Sequence, residues 1–247
     1  MPVLVLLARA VVSGSVLAAL ADPAVVDALV LSTITTSICV MFVLVLGIPL
    51  ALALARSHFR GSALVETIVD LPIVLPPSVA GIALLLVFGR RGLLGDSLAS
   101  VGLTLPFTTA AVVLAQFFVA APFFIRSARA GLAGVEREIE DAARVNGAAE
   151  RQVFRWVTAP LAAPALAAGL VTAWARALGE FGETIIFAGS IEGRTQTLPL
   201  VVYGEFQSSN LDASIAASAV LVIAALIALL VVRGLRWTRA LDARGAG

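Results

Sequence analysis

Long apolar runs separated by short polar loops set the organisation of this chain. A run of about 20 apolar residues crosses roughly 30 Å of hydrocarbon at the helical rise of about 1.5 Å per residue. Five stretches meet that length: 26–55, closed by Arg56; 71–88, preceded by Asp70 and followed by Arg90 and Arg91; 106–125, closed by Arg126; 161–189; and 215–232, closed by Arg233. The fourth is unusual, because Arg176, Glu180 and Glu183 lie inside it. The run 2–21 is divided by Arg9 and predicts a terminal helix, complete or not. A cleavable signal peptide is the weaker reading, since no positive segment precedes the apolar part. Between the third and fourth runs lies the long polar stretch 138–160, with an acidic start (Glu138, Glu140, Asp141), a glycine at Gly147 and a proline stop at Pro160. That pattern predicts two short helices hinged at glycine.

Composition agrees with the spans: 60% of residues are hydrophobic, 13% are charged, and the mean hydropathy is +1.02. The class is an all-α polytopic membrane protein, a single transmembrane domain over 1–247. Its expected parts are an N-terminal segment at 1–25, a core at 26–235 with the polar helices at 137–158, and a tail at 236–247. All 17 basic residues are arginine, which excludes a lysine-bearing phosphate loop and a Schiff base. If ATP is used, another chain binds it. The lone Cys39 sits in an apolar run and cannot form a disulfide or a thiolate metal site within one chain. The only histidine, His58, stands between Arg56 and Arg60 in a polar loop and reads as solvated. No catalytic residues, metal ligands or nucleic-acid contacts are expected.

Charge then orients the chain. Arg56 and Arg60, the six arginines from 126 to 155, and the four from 233 to 244 place 12 on one side, against Arg90, Arg91 and Arg194 on the other. The positive-inside rule puts the 138–160 stretch and the C-terminus in the cytoplasm.

Asp141-Ala142-Ala143, three residues, Gly147, nine residues, then Val157-Thr158-Ala159-Pro160 resembles the EAA loop of permease subunits in binding-protein-dependent ABC importers, usually written E-A-A, three, G, nine, I-x-L-P. Aspartate replaces glutamate, valine isoleucine and alanine leucine, while both spacings hold. Two further regions narrow the group. Ala177-Leu178-Gly179-Glu180-Phe181-Gly182-Glu183-Thr184 and Gly193-Arg194-Thr195-Gln196-Thr197-Leu198-Pro199-Leu200 are similar to segments of molybdate permeases, as is Leu71-Pro72 with Leu75-Pro76-Pro77. Sulfate permeases share part of this and stay open as the alternative, with an ATP-independent transporter or channel as the reading from another class.

The resemblance implies a MetI-like ABC importer transmembrane domain of five core helices plus an N-terminal one, with no ATPase site of its own. It implies as partners a second copy of the chain, cytoplasmic ABC ATPase subunits carrying ATP and Mg²⁺, an extracytoplasmic oxyanion-binding protein, and membrane lipid. On it, Glu140, Asp141, Ala142, Ala143, Gly147, Val157 and Pro160 form the ATPase-coupling set. Arg194, Thr195 and Gln196 are candidates for meeting the binding protein.

The residues themselves bear on the path. Arg176, Glu180 and Glu183 would each cost about 2.5 to 3.5 kcal/mol at a helix centre facing lipid, so they face protein or water. Arg176 and Glu180 are four apart on one face, which allows either an internal ion pair or a lining for an oxyanion path. Gly179 and Gly182 would give room to the opposing subunit. Pro76 and Pro77 predict a kink within the second run, near a gate or as packing.

Overall fold

Helix forms almost throughout, as it must where lipid offers backbone amides no partner. The structure, a computed structural model, describes residues 1–12, 14–56 and 59–245, with the backbone alone from residue 231; His58 lies outside the described residues. In chain order the helices are α1 (Pro2–Val12), α2 (Ser15–Ala21), α3 (Pro23–Arg56), α4 (Ser62–Val74), α5 (Pro77–Phe88), α6 (Gly95–Ser100), α7 (Thr109–Ala133), α8 (Arg137–Val145) and α9 (Glu150–Val153). A π-helical turn, Phe154–Thr158, then leads into α10 (Ala159–Leu178), α11 (Gly182–Phe187), α12 (Leu198–Gln207) and α13 (Leu211–Gly245).

Among the described residues, four helical stretches are long and apolar enough to cross a membrane: Pro23–Arg56, Thr109–Ala133, Glu150–Leu178 and Leu211–Leu230. Of these, α7 is the hub, with 61% of its apolar window buried against 33%, 22% and 28% for α3, the 150–178 stretch and α13. Phe124, Ile125, Ala128 and Leu132 of α7 pack between Cys39, Val43, Ala51 and Leu54 of α3 and Ala162, Ala173 and Ala177 of α10. Small residues let α7 and α10 approach: a Cβ on Gly169 would stand 2.7 Å from the Ser127 Cβ. Close backbone contact of this kind is how helices associate where lipid removes the hydrophobic drive. A second cluster joins Ala19 of α2, Val25 and Ala28 of α3, Leu198 and Val201 of α12, and Ala216, Ala217 and Val220 of α13. Buried polar groups tie the two clusters: Gln116 of α7 donates to Thr36 Oγ1 at 3.3 Å, and the Leu198 N–H donates to Ser32 Oγ at 2.8 Å.

Three expectations need correction. The run 71–88 is not one helix, because α4 ends at Val74 and α5 starts at Pro77. Pro76 is the cap of α5 and Pro77 its first residue. A proline at the first helical position gives up an amide that would have had no partner anyway, so the pair ends one helix and starts another instead of kinking a continuous one. The run 161–189 likewise breaks after Leu178 and resumes at Gly182 as α11. The N-terminal run is two pieces, α1 and α2, and Gly14 before α2 sits at φ 64°.

Candidate functional site

The polar stretch folds as two helical pieces turned at Gly147. Its φ is 89°, a left-handed value that favours glycine. The Gly147 N–H donates to the Arg144 carbonyl at 2.9 Å and the Ala148 N–H to the Ala143 carbonyl at 3.1 Å, the paired bonds of a Schellman stop. On the far side of the turn, Gln152 Oε1 accepts from the Ala149 N–H at 2.8 Å and starts α9. The second piece does not stop before the membrane span; it runs through the π turn into α10. Any push on α9 is therefore a push on α10.

Between the two pieces lies an open groove of about 420 Å³, lined by Ala143, Asn146, Gly147, Gln152, Trp156 and Val157 among others. Trp156 is 70% exposed and Val145 88% exposed at this end of the molecule, an apolar pair without cover. Arg155 lies over the Trp156 ring at 5.2 Å. Asp141 and Glu150 both face solvent and both accept from Arg144, at 2.6 and 2.7 Å. The hydrogen bonds to Glu150 and then to Asp141 raise the Arg144 guanidinium above its ordinary value.

Of the seven residues expected at the coupling surface, Asp141 and Ala142 are exposed, and Ala143, Gly147 and Val157 line the groove. Pro160 is exposed at the start of α10. Glu140 turns the other way. It is 5% exposed, and its Oε1 accepts from Arg56 Nη2 at 2.6 Å and from Thr158 Oγ1 at 2.6 Å. Arg56 also donates to the Val135 carbonyl at 3.3 Å. Three elements meet there: the end of α3, the first turn of α8, and the π turn. Sequence reasoning missed Arg56 and Thr158 as members of this site. Arg56 is 84 positions from Glu140, and no local pattern links them.

The second site is the break between α10 and α11. Glu180 is 3% exposed and its Oε1 accepts from the Glu183 N–H at 2.8 Å, so the carboxylate satisfies an amide at the start of α11. Glu183 is 1% exposed and its Oε2 has no partner among the described residues. Gly182 lies against α5 of the same chain, where an added Cβ would come 2.5 Å from Pro77 Cβ. Within the chain the room it provides is taken by Pro77, whereas Gly179 is exposed.

Arg176 is exposed, with its guanidinium 5.9 Å from the centre of the Phe123 ring. Among the described residues the ion pairs do not include one between Arg176 and Glu180, so the internal pair is not what holds the polar face of α10. In the loop after α11, Thr195 is fully buried and its Oγ1 accepts from the Ile191 N–H at 2.9 Å. Gln196 is half-buried with its N–H on the Ile191 carbonyl at 3.0 Å, which leaves Arg194 as the exposed member of that trio.

A family model described as the binding-protein-dependent transport system inner membrane component matches residues 43–245. The chain belongs to that family. Relatives within this transport-system family include the molybdenum transport system permease protein ModB of Mycobacterium tuberculosis (strain ATCC 25618 / H37Rv), 42% identical over 213 residues, covering 86% of this chain and 80% of that protein. The ModB permease of Escherichia coli (strain K12) is 40% identical over 207 residues, covering 83% of this chain and 90% of that protein. Two solved structures share the fold of this inner membrane component. A bacterial ABC transporter involved in import of the acidic polysaccharide alginate has a TM-score of 0.72 at 18% identity, covering 87% of this chain and 79% of that one. The methionine ABC transporter MetNI, in an inward-facing conformation, has a TM-score of 0.63 at 19% identity, covering 87% of this chain and 95% of that one.

Proposed function

We propose that this chain is the membrane-spanning permease subunit of an ABC importer for a tetrahedral oxyanion, with molybdate as the first substrate to test. The observation that carries the reading is the exposed apolar groove around Gly147 and Trp156, continuous in backbone with α10. A surface of that kind suits a partner subunit that moves a transmembrane helix from outside the membrane. The two relatives named for molybdenum transport, at 40% and 42% identity, support the anion.

In this reading two copies pair about the exposed face of α10, so that Arg176 of each faces the shared path. Two cytoplasmic ATPase subunits, which bind ATP and Mg²⁺, seat on the groove, and an extracytoplasmic binding protein delivers the anion to the opposite end. The arginine asymmetry of 12 against 3 supports a cytoplasmic groove and C-terminus. Closing the ATPases moves α8 and α9, and the continuous helix passes the motion to the break at Gly179.

The test is ATPase stimulation in the reconstituted complex, with binding protein loaded in turn with molybdate, tungstate and sulfate. Stimulation by molybdate or tungstate above sulfate is the expected result. Stimulation by sulfate alone reassigns the anion, and transport without any ATPase overturns the class. Gly147→Pro should abolish ATPase docking in a pull-down, and normal docking there refutes the groove.

A further inference from the structure

At the end of the molecule opposite the groove is an open cavity of about 470 Å³ between the end of α5 and the start of α7. Arg90, Arg194, Thr104, Thr108, Pro106 and Phe107 line it, and no acidic residue does. The inner-end cavity under α8 differs: there Arg56, Arg137, Arg144 and Arg151 share the walls with Glu140, Asp141 and Glu150. Among the described residues neither Arg90 nor Arg194 takes part in an ion pair.

Both arginines are carried on fixed backbone. Arg194 has its carbonyl held by Thr109 Oγ1 at 2.9 Å and its own N–H on the Ile191 carbonyl at 3.1 Å, beside the fully buried Thr195. Arg90 follows Gly89, and the turn closes through the bonds from Gly92 N–H to the Gly89 carbonyl and from Leu93 N–H to the Leu86 carbonyl, at 2.8 and 2.9 Å. The backbone there is so tight that a Cβ on Gly95 would fall 2.6 Å from the Arg90 carbonyl oxygen. Phe107, in the wall between them, holds a φ of 61°, a left-handed value that is costly outside glycine and is kept by its N–H on the Phe187 carbonyl at 3.4 Å. Thr108 caps α7 from within the cavity, its Oγ1 accepting from the Ala111 N–H at 3.3 Å and donating to the Leu105 carbonyl at 2.6 Å, so its hydroxyl is spent on the wall.

We infer that this cavity is an entry site for a hydrated tetrahedral dianion, holding it between Arg90 and Arg194 beside Thr104 before it passes inward. The inference rests on the oxyanion-importer reading and its orientation. Two unpaired guanidiniums without a carboxylate match the charge of a dianion, and each presents a fork of donors suited to paired oxygens. Openness of the cavity leaves the ion part of its water, which suits a site that must release as readily as it captures.

The experiment uses the complete importer in proteoliposomes, with molybdate as the probe. Wild-type uptake is the control for the parent reading: no uptake of molybdate, tungstate or sulfate by wild type overturns the proposed function itself. With wild type active, the double variant Arg90→Gln, Arg194→Gln is expected to lose about tenfold in molybdate uptake at sub-saturating loaded binding protein. Affinity of the binding protein for the complex should stay within about twofold, and the double lysine variant should recover at least a third of the uptake. Uptake equal to wild type overturns the entry site. A parallel loss of uptake and docking affinity also overturns it, making the arginines contacts for acidic side chains of the binding protein. A lysine pair no better than the glutamine pair overturns it as well.

Discussion

The breaks at Gly147 and at Gly179–Gly182 interrupt the same helical path and are held in opposite ways. At Gly147 an added Cβ would meet nothing within 4 Å, and the constraint is the backbone angle of 89°. At Gly182 the constraint is space, with Pro77 Cβ 2.5 Å from where a Cβ would stand. One turn is fixed by its own hydrogen bonds and stays open to a partner. The other is fixed by the neighbour it touches, with Glu180 and Glu183 buried beside it. In the proposed importer, the hinge that receives another protein keeps its surface free, and the break that holds its place within the bundle is packed shut.

Substitutions can break this contrast, and the largest effect falls on the one buried anchor of the open hinge. Glu140→Ala leaves the half-buried Arg56 guanidinium without its carboxylate and should cost about 3 kcal/mol. Thermal melting in detergent measures it, and Glu140→Gln, which can keep both hydrogen bonds, should cost less. Gly182→Ala comes next at about 2 kcal/mol, because the rigid Pro77 ring has to move. An equal melting temperature there would mean the break is not packed as described. Gly147→Ala should cost about 1 kcal/mol through the left-handed angle alone and leave the groove intact. If docking of the ATPase falls further than stability, the groove itself has changed shape. The smallest effect belongs to Arg144→Gln, whose partners Asp141 and Glu150 are 67% and 77% exposed; the melting temperature should fall less than for any of the other variants, and the difference should vanish at high salt.

Arg176→Gln tests the same contrast by function. It should lower molybdate uptake without altering assembly of the complex, and unchanged uptake would remove Arg176 from the path.

The parts legible in the sequence were those encoded locally. Gly147 and its spacing to Asp141 and Pro160 gave the hinge, because a helix stop is written in a few consecutive residues. Apolar run length gave α3, α7, α10 and α13, because a bilayer imposes one length on all of them. Run length failed at 71–88 and 161–189, where apolar residues on both sides of Pro76-Pro77 and of Glu180 and Glu183 join into one run although the helix does not continue. Hydropathy measures the surroundings of a segment and is blind to backbone continuity. Arg56 with Glu140, and Gly182 with Pro77, were out of reach for another reason: each pair is made by the fold between distant segments. Arg56, counted for orientation only, closes the inner joint.

The π turn at Phe154–Thr158 has a consequence for phase. A wider turn holds one residue more than an α turn, so side chains beyond it are rotated by about 100° from where an unbroken α-helix would put them. That offset sets the phase of α10, whose Ala162, Ala173 and Ala177 pack in the bundle, against α9, whose Gln152 and Val153 line the groove. Removing one residue within the turn would return the helix to a single phase, and the face at the groove and the face packed in the bundle could then no longer both be in register.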